Sequence, residues 1–208
     1  MSIMLRVKGK RACFSRPELK VEAVSYDVMT PTAARAILES IYWKPEINWV
    51  VSGITVLNPI LTAVIKQNLI NNKISTRATV RGSQKPYDVT SMRDQRNFTI
   101  LIDVDYVIEA HFLIISGENN SGKHLDMFRR RAEKGQEFRH PYFGMRDFSV
   151  DSYELVESTP QSRLKGKRPL GYMLHSIDYT TNKPAFWNAE LSDGYLSIPP
   201  VTSNEVKR

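Results

Sequence analysis

A strand-like apolar run that ends at a turn and opens a basic helix is the feature of this sequence that most restricts its fold. The run is 110–115, the turn contains Ser121-Gly122-Lys123-His124, and residues 125–134 form the basic helix. The first turn of a helix presents unpaired backbone N–H groups and the positive end of the helix dipole, which favour a bound phosphate. Lys123 adds a cation, and His124 adds a side chain that titrates near neutral pH. The sequence therefore predicts a phosphate site with acid–base capacity.

Charge and cysteine content limit the class of protein. The 208 residues are 41% hydrophobic, which is enough for a real core, and carry a net charge of +7. This charge favours a polyanionic partner such as nucleic acid, and it also fits a basic surface on an assembly. The single cysteine, Cys13, excludes an intramolecular disulfide and a cysteine-based zinc site. No apolar run reaches the roughly 18 residues of a membrane span, so we expect a cytoplasmic protein with no membrane partner.

The order of predicted elements indicates the fold class. Ile3 to Lys8 alternates as a strand, Pro31 to Tyr42 has helical periodicity after the N-cap Thr30, and Ile47 to Leu57 is a central strand. The later elements are two paired extended runs, 98–106 and 107–115, the basic helix 125–134 and a strand at 142–150. This order predicts an α+β, ferredoxin-like αβ sandwich, with two helices on one face of an antiparallel sheet.

Two further segments complete the expected organisation. Segment 58–97 contains the cations Lys66, Lys73, Arg77, Arg81, Lys85, Arg93 and Arg96 against only Asp88 and Asp94. We interpret it as a basic insertion, with a strand at 75–80, that lies along a nucleic-acid backbone; a solvated hairpin without a ligand is the alternative. The expected domains are 1–156, ferredoxin-like with this insertion, and 157–208, a linker and a small β-rich C-terminal region with a disordered tail after Pro200.

Two local patterns suggest chemistry that the rest of the sequence does not support. Gly117 to His124 fits the P-loop pattern except at its last position, where His124 replaces the hydroxyl that binds magnesium. The surrounding elements also look antiparallel, which argues against a nucleoside triphosphatase. Asp103 and Asp105 lie two apart on a predicted strand, as in a metal-binding nuclease, but no third carboxylate cluster accompanies them. We therefore expect no metal site.

The chemistry that fits the remaining residues is metal-free cleavage of RNA. In that reaction a base removes the proton of the 2′-hydroxyl, an acid protonates the departing 5′-oxygen, and a fixed cation offsets the charge on the phosphorane. His124 would transfer protons and Lys123 would supply the cation, both from an irregular first helical turn. The alternative is an ordinary helix start with a solvated Lys-His pair. A basic DNA-binding protein is a weaker interpretation, because no helix-turn-helix or zinc pattern is present.

Three motifs together resemble a known family. They are Glu39-Ser40-Ile41-Tyr42-Trp43-Lys44-Pro45, then Gly122-Lys123-His124 with its basic helix, and Tyr142-Phe143-Gly144-Met145-Arg146-Asp147-Phe148. In these stretches the chain is similar to the type I-C (Dvulg subtype) CRISPR-associated Cas five protein, a RAMP-superfamily endoribonuclease. The resemblance implies a ferredoxin-like N-terminal domain and a smaller β-rich C-terminal region.

The resemblance also implies an activity. It is metal-independent cleavage of precursor CRISPR RNA at the 3′ base of the repeat stem-loop, without a cofactor and with Tyr42, Lys123 and His124 as catalytic residues. The protein would then retain the 5′ handle and join the backbone and large subunits of the type I-C interference (Cascade) complex. The alternative is a non-catalytic RAMP subunit that caps the 5′ handle of the guide RNA.

The residue roles follow from the resemblance. By pattern alone Tyr42 is a core aromatic at a helix end; the resemblance makes it the group that orients the 2′-hydroxyl or relays its proton. Whether Tyr42 or His124 is the base is left open. The expected RNA-binding residues are Trp43, Lys44, Lys66, Arg77, Arg81, Arg129, Arg130 and Arg146.

Overall fold

The computed structural model describes residues 2–19, 21–70, 76–80, 82, 88–117 and 120–207. The strands within these ranges are β1 (Ile3–Ala12), β2 (Ile47–Val56), β3 (Leu61–Ile70), β4 (Arg93–Ile114), β5 (Ser152–Leu155), β6 (Lys167–Asp178), β7 (Lys183–Ser192) and β8 (Tyr195–Ser197). The helices are α1 (Pro31–Ile41), α2 (Thr76–Val80) and α3 (Ser121–Glu133). None of these three helices is long and apolar enough to cross a membrane.

Four strands and two helices form the arrangement that the sequence predicts. In the sheet β5, β1, β4 and β2 lie side by side in that order, and every adjacent pair is antiparallel. The elements follow one another as β1, α1, β2, β4, α3 and β5, which is the split βαβ repeat of a ferredoxin-like fold. The predicted α+β class is therefore confirmed. Because the strands β1, β2 and β3 that pair with β4 all run antiparallel to it, the P-loop match at Gly117 lacks its βαβ context.

The first helix forms where its caps and its apolar stripe predict. The Thr30 side chain accepts a hydrogen bond from the backbone N–H of Ala33 at 3.3 Å, and Pro31 occupies the first turn, where its missing N–H costs nothing. The buried positions Ala34, Ile37, Leu38 and Ile41 recur at helical spacing and face the core. This stripe packs α1 against β2, which holds the end of the helix in a fixed place on the sheet.

The basic helix α3 begins earlier than expected, at Ser121 rather than Leu125. Asn120 is its N-cap and accepts a hydrogen bond from the backbone N–H of Lys123 at 3.1 Å. The ring of Phe128 packs edge-on against Trp49 of β2, with 4.9 Å between ring centroids. Trp49 also contacts Phe112 of β4 at 5.3 Å. These rings fix the start of α3 above one end of β2 and β4.

The predicted hairpin around Asp103 and Asp105 is wrong. Residues 93–114 form one continuous strand, β4, whose first half pairs with β3 and whose second half pairs with β1 and β2. Asp103 has a left-handed backbone, φ 53°, which aspartate tolerates better than most residues. The turn-forming residue therefore marks an irregularity inside the strand and does not reverse the chain.

The basic segment 58–97 extends the sheet. It contains β3, α2 and the first residues of β4, so β3 and β4 form a two-stranded antiparallel ribbon. The described part of the predicted strand 75–80 is the short helix α2, so the predicted strand is wrong there. Arg81 lies outside the described residues.

The C-terminal strands continue the same sheet. β8 pairs with β2 and β7, and β6 pairs with β7; the turn at Asp193-Gly194 joins β7 to β8. The tail after Pro200 was expected to be disordered, but Lys207 and Phe186 exchange two backbone hydrogen bonds at 2.7 and 2.8 Å. The β-rich region is confirmed as strands, while the domain division near residue 156 stays a prediction.

Segment 142–150 is a compact loop and not the predicted strand. Within the described chain its only ladder pairing is an isolated bridge between Tyr142 and Ser149. Phe143 is fully buried beside Gly9, and its carbonyl accepts a hydrogen bond from the backbone N–H of Cys13 at 3.0 Å. Gly144 follows with φ 80°, a conformation that ends any extended run.

Replacing Gly144 with alanine should destabilise the fold by about 3 kcal/mol or more. A left-handed backbone costs a non-glycine residue about 1–2 kcal/mol, and the new Cβ would also overlap the carbonyl of Cys13, which belongs to a backbone that cannot easily move. Urea unfolding followed by tryptophan fluorescence measures the loss. Gly166→Ala is the matched control, because Gly166 has φ 76° with no heavy atom within 4 Å of the added Cβ. Equal losses for the two variants would contradict the steric argument.

Candidate active site

The structure brings Tyr42 and His124 into direct contact. The two residues are 82 positions apart in the chain, and the Tyr42 hydroxyl lies 2.9 Å from Nδ1 of His124. Tyr42 is 4% exposed and His124 is 5% exposed, so this hydrogen bond is shielded from bulk water. A shielded hydrogen bond between a phenol and an imidazole is a short path for one proton.

The position of Tyr42 follows from how α1 ends. Tyr42 caps the helix with an extended backbone, φ −147° and ψ 115°, and Pro45 prevents the helix from continuing. Its backbone N–H still donates to the carbonyl of Leu38 at 2.9 Å, and its own carbonyl accepts from the indole Nε1 of Trp49 at 2.9 Å. Both backbone groups are therefore held, which fixes the direction of the phenol toward α3.

Arg131 is a cation at this site that the sequence did not reveal. Its guanidinium lies over the Tyr42 ring, 5.5 Å from the ring centroid, and donates to the carbonyl of Ile41 at 3.2 Å. Arg131 is seven residues after His124, so both lie on the same face of α3. That spacing is a signal in the sequence, but it becomes meaningful only when the position of Tyr42 is known.

The electrostatic surroundings keep the phenol protonated. Burial raises the pKa of Tyr42 above its ordinary value of 10, and the negative charge of Glu46 acts in the same direction. The cations Arg131 and Lys123 lower this pKa, but the raising effects prevail. At neutral pH Tyr42 is therefore a hydroxyl, able to donate its proton to Nδ1 of a neutral His124.

Lys123 and His124 point in different directions. Because α3 is regular from Ser121, adjacent side chains diverge by about 100°, and the irregular first turn that the sequence suggested is wrong. His124 is buried against Phe112, with ring centroids 5.9 Å apart, whereas Lys123 is exposed. The charge of Lys123 nevertheless acts on the pKa of Tyr42, so the ammonium lies at the edge of the site.

The expected RNA-binding residues do not form one cluster. Trp43 and Lys44 directly follow Tyr42 and are exposed. Lys66 pairs with Asn97 at the other end of β4, about 15 residues before Phe112, which corresponds to about 50 Å of extended strand. Arg77 is exposed on α2, the helix that follows β3 beyond the end of the ribbon. Lys66 and Arg77 are therefore placed to contact a distant part of a ligand and not a group bound at Tyr42.

The other predicted arginines are exposed away from the Tyr42–His124 pair. Arg129 lines a surface cavity with Glu133 and Leu155, on the side of α3 that faces β5. Arg130 donates to the sulfur of Met127 at 2.9 Å. Arg146 is exposed on the loop that packs on β1.

Of the two carboxylates that suggested a metal site, Asp105 forms an ion pair with an arginine. Asp105 is buried and accepts two hydrogen bonds from the guanidinium of Arg6, at 2.8 and 3.0 Å. Asp103 is exposed in its left-handed conformation. Among the residues that the structure describes, no group of three or more His, Cys, Asp or Glu side chains could hold a metal ion.

Comparison with known proteins assigns the chain to a family. Residues 2–199 match the family described as CRISPR-associated protein (Cas_Cas5). The chain belongs to the Cas5d family of CRISPR-associated proteins. This family covers both the ferredoxin-like part and the C-terminal strands, so the resemblance found in the three sequence motifs is confirmed.

Individual members of the Cas5d family are similar over almost their whole length. A protein of Mannheimia succiniciproducens is 44% identical over 99% of this chain and 98% of its own length, and one of Thermus thermophilus is 33% identical over 99% and 95%. Both are named CRISPR pre-crRNA endoribonuclease Cas5d. A crystal structure of a CRISPR-associated protein superposes with a TM-score of 0.73 at 23% identity, covering 100% of this chain and 97% of that one. That likeness confirms the fold.

Proposed function

We propose that this protein is a metal-independent endoribonuclease that cleaves precursor CRISPR RNA at the 3′ base of the repeat stem-loop. The observation that carries the proposal is the buried 2.9 Å contact between Tyr42 and His124, beside the cation Lys123. Family membership supports it, because the relative that is 44% identical over nearly its full length is named a pre-crRNA endoribonuclease. The residues in contact are of the types that metal-free RNA cleavage needs.

The geometry suggests a proton relay. The 2′-hydroxyl of the RNA gives its proton to the Tyr42 oxygen while the Tyr42 proton passes to Nδ1 of His124. The 2′-oxygen then attacks the adjacent phosphorus, and the bond to the 5′-oxygen breaks as that oxygen takes up a proton from water. The proton held by His124 returns to water after the products leave, which restores the relay. The products are a 2′,3′-cyclic phosphate and a 5′-hydroxyl. In this scheme His124 is the final base, because the raised pKa of Tyr42 prevents the phenol from acting alone at neutral pH.

Fixed positive charge stabilises the transition state. The Lys123 ammonium and the N-terminal end of α3 offset the charge that develops on the phosphorane. Arg131 lies over the Tyr42 ring and is a positioning residue, since its contacts are to the ring and to the carbonyl of Ile41.

The basic surface of the protein fits retention of the RNA after cleavage. The net charge of +7 and the exposed cations of the β3–β4 ribbon suit a protein that keeps its RNA product. We propose that it holds the 5′ handle of the guide RNA and joins the backbone and large subunits of the type I-C complex in the cytoplasm.

A cleavage assay with a labelled repeat stem-loop RNA in excess EDTA tests this function. The expected result is a single cut at the 3′ base of the stem, with a 2′,3′-cyclic phosphate on one product and a 5′-hydroxyl on the other. Tight binding of the RNA without any cut would instead identify the protein as a subunit that only caps the 5′ handle. A cut that EDTA abolishes would contradict the metal-free mechanism.

Removing the cations of the ribbon should weaken binding without slowing the chemical step. The double variant Lys66→Ala/Arg77→Ala should reduce the slope of log K against log salt by about 0.7 for each phosphate that the protein no longer neutralises. Its cleavage rate at saturating protein should equal that of the wild type, because Lys66 lies near the far end of β4, opposite Asn97, and Arg77 lies beyond that end. Lys183→Ala, an exposed lysine at the start of β7, is the control and should leave the slope unchanged. A slower rate at saturation for the double variant would contradict this placement.

A further inference from the structure

A groove beside the candidate active site has exposed aromatic walls that the proposed chemistry does not use. Its volume is about 310 Å³, at the small end of the range for ligand sites. One wall contains Glu39, Ser40 and Trp43 from the end of α1, and the other contains Phe138, Arg139 and Tyr142 from the segment that follows α3. The groove is therefore formed by the end of α1, which places Tyr42, and by the segment that follows α3, the helix that carries His124.

The α1 wall lies on the helix face that does not pack on the sheet. Ala36, Glu39 and Ser40 recur at spacings of three and four residues on α1, whereas the buried stripe contains Ile37, Leu38 and Ile41; Trp43 follows the end of the helix. Trp43 is 58% exposed and follows Tyr42 directly, so their Cα atoms are about 3.8 Å apart. A ligand in contact with Trp43 thus lies beside the backbone that carries Tyr42.

The backbone of the opposite wall is held in place, although the side chain of Phe138 is exposed. Phe138 is 87% exposed, but its backbone N–H donates to the carbonyl of Ser40 at 2.8 Å. His140 is hydrogen-bonded through Nδ1 to Glu137 at 2.6 Å and through Nε2 to the carbonyl of Val150 at 3.0 Å. A large apolar ring that is exposed to solvent does not contribute the stabilisation that burial in the core would give. Its exposure therefore points to a role in binding.

The charges at the groove suit an RNA strand. Arg139 is exposed and lies next to Phe138, and Lys44 is exposed next to Trp43. The one carboxylate in the lining, Glu39, is paired with Arg35 at 3.0 Å, which reduces its repulsion of phosphate. Aromatic side chains with nearby cations are the means by which proteins bind unpaired nucleotides.

We propose that Trp43 and Phe138 clamp one unpaired base of the RNA next to the scissile phosphate, and that Arg139 binds the phosphate attached to that nucleotide. The clamp rests on the proposed function, because it gives that function a means of positioning its substrate. Stacking tolerates any base, so the groove selects an unpaired nucleotide at a fixed distance from Tyr42 and not a particular sequence. This would set the position of the cut relative to the end of the stem.

Fluorescence of 2-aminopurine in the RNA tests the clamp. Repeat stem-loop RNAs carry 2-aminopurine at one unpaired position at a time on either side of the cut, and a 2′-deoxy nucleotide at the cut prevents cleavage. The wild type should quench the fluorescence at one position only. Trp43→Ala and Phe138→Ala should each abolish that quenching and weaken binding about tenfold. Phe138→Tyr should restore both, and Phe138→Leu should restore neither.

Controls separate the clamp from the proposed cleavage activity. Phe138 is exposed, so its replacement leaves the fold intact, and Tyr179→Ala removes an exposed aromatic residue elsewhere and should change nothing. If the wild type cleaves repeat RNA but Phe138→Ala binds and quenches normally, the clamp is wrong and the proposed function stands. If the wild type never cleaves but quenching depends on Phe138, the clamp stands and the proposed function is wrong. Failure of the wild type to bind the RNA would overturn both.

Discussion

Replacing His124 with alanine should reduce the single-turnover cleavage rate by about 10²–10⁴-fold, the usual contribution of general acid–base catalysis. The affinity for repeat RNA should stay within about threefold of the wild type, because the proton transfer takes place only in the transition state. The physical reason is the shielded contact at 2.9 Å: without the imidazole, the Tyr42 proton has no acceptor. Cleavage of labelled RNA at saturating protein measures the rate, and a filter-binding titration measures the affinity.

The control for this variant must exclude a loss of folding, because His124 is buried. His124→Asn fills more of the space, cannot accept the proton in the same way and should also be slow. His111→Ala removes a histidine at the same end of β4 but on the opposite face of the sheet from Phe112, and should cleave normally. If His124→Ala is folded and cleaves at the wild-type rate, the assignment of the site is wrong even though the family is established.

Replacing Tyr42 with phenylalanine should reduce the rate by a similar factor, since the phenol and the imidazole form one relay. The change removes only the hydroxyl and keeps the ring that packs under Arg131. The backbone of residue 42 also keeps its hydrogen bonds to Leu38 and Trp49. The double variant Tyr42→Phe/His124→Ala should then be no slower than either single variant, because groups that act as a unit are not additive.

Thermal unfolding of each variant provides the control for the relay. Tyr42→Phe leaves Nδ1 of His124 without its partner, which should cost about 1–3 kcal/mol of stability and leave the protein folded. Multiplicative losses in the double variant would contradict the relay, because they would mean that Tyr42 and His124 act independently. In that case Tyr42 would orient the 2′-hydroxyl without passing on its proton.

The fold could be predicted where local signals and long-range packing agree. Thr30 and Pro31 mark the start of α1 by their own chemistry, and the stripe through Ile41 specifies the buried face. The errors concern residues whose local preference is overruled by pairing. Asp103 favours a turn, but the neighbouring apolar residues on both sides pair with β3, β1 and β2, so the strand continues through it.

The candidate site could be predicted only in part. Lys123 and His124 are adjacent in the sequence and stand at a helix start, a local pattern with a physical meaning. Tyr42 is 82 residues away, and from periodicity alone it is a core aromatic; the structure shows that it is buried and hydrogen-bonded to His124 as well. Phe138 carries no local signal, because its place opposite Trp43 depends on a tertiary hydrogen bond to Ser40.

A single 2′-deoxy substitution at the expected cleavage position tests the central claim most directly. The protein is incubated in excess EDTA with the all-ribose stem-loop RNA or with the same RNA lacking only that 2′-hydroxyl. We expect complete cleavage of the first RNA and none of the second, with equal affinity for both, because the missing hydroxyl is the nucleophile. Cleavage of the deoxy RNA at the same position would contradict the proposed mechanism, since the attacking oxygen would then come from water.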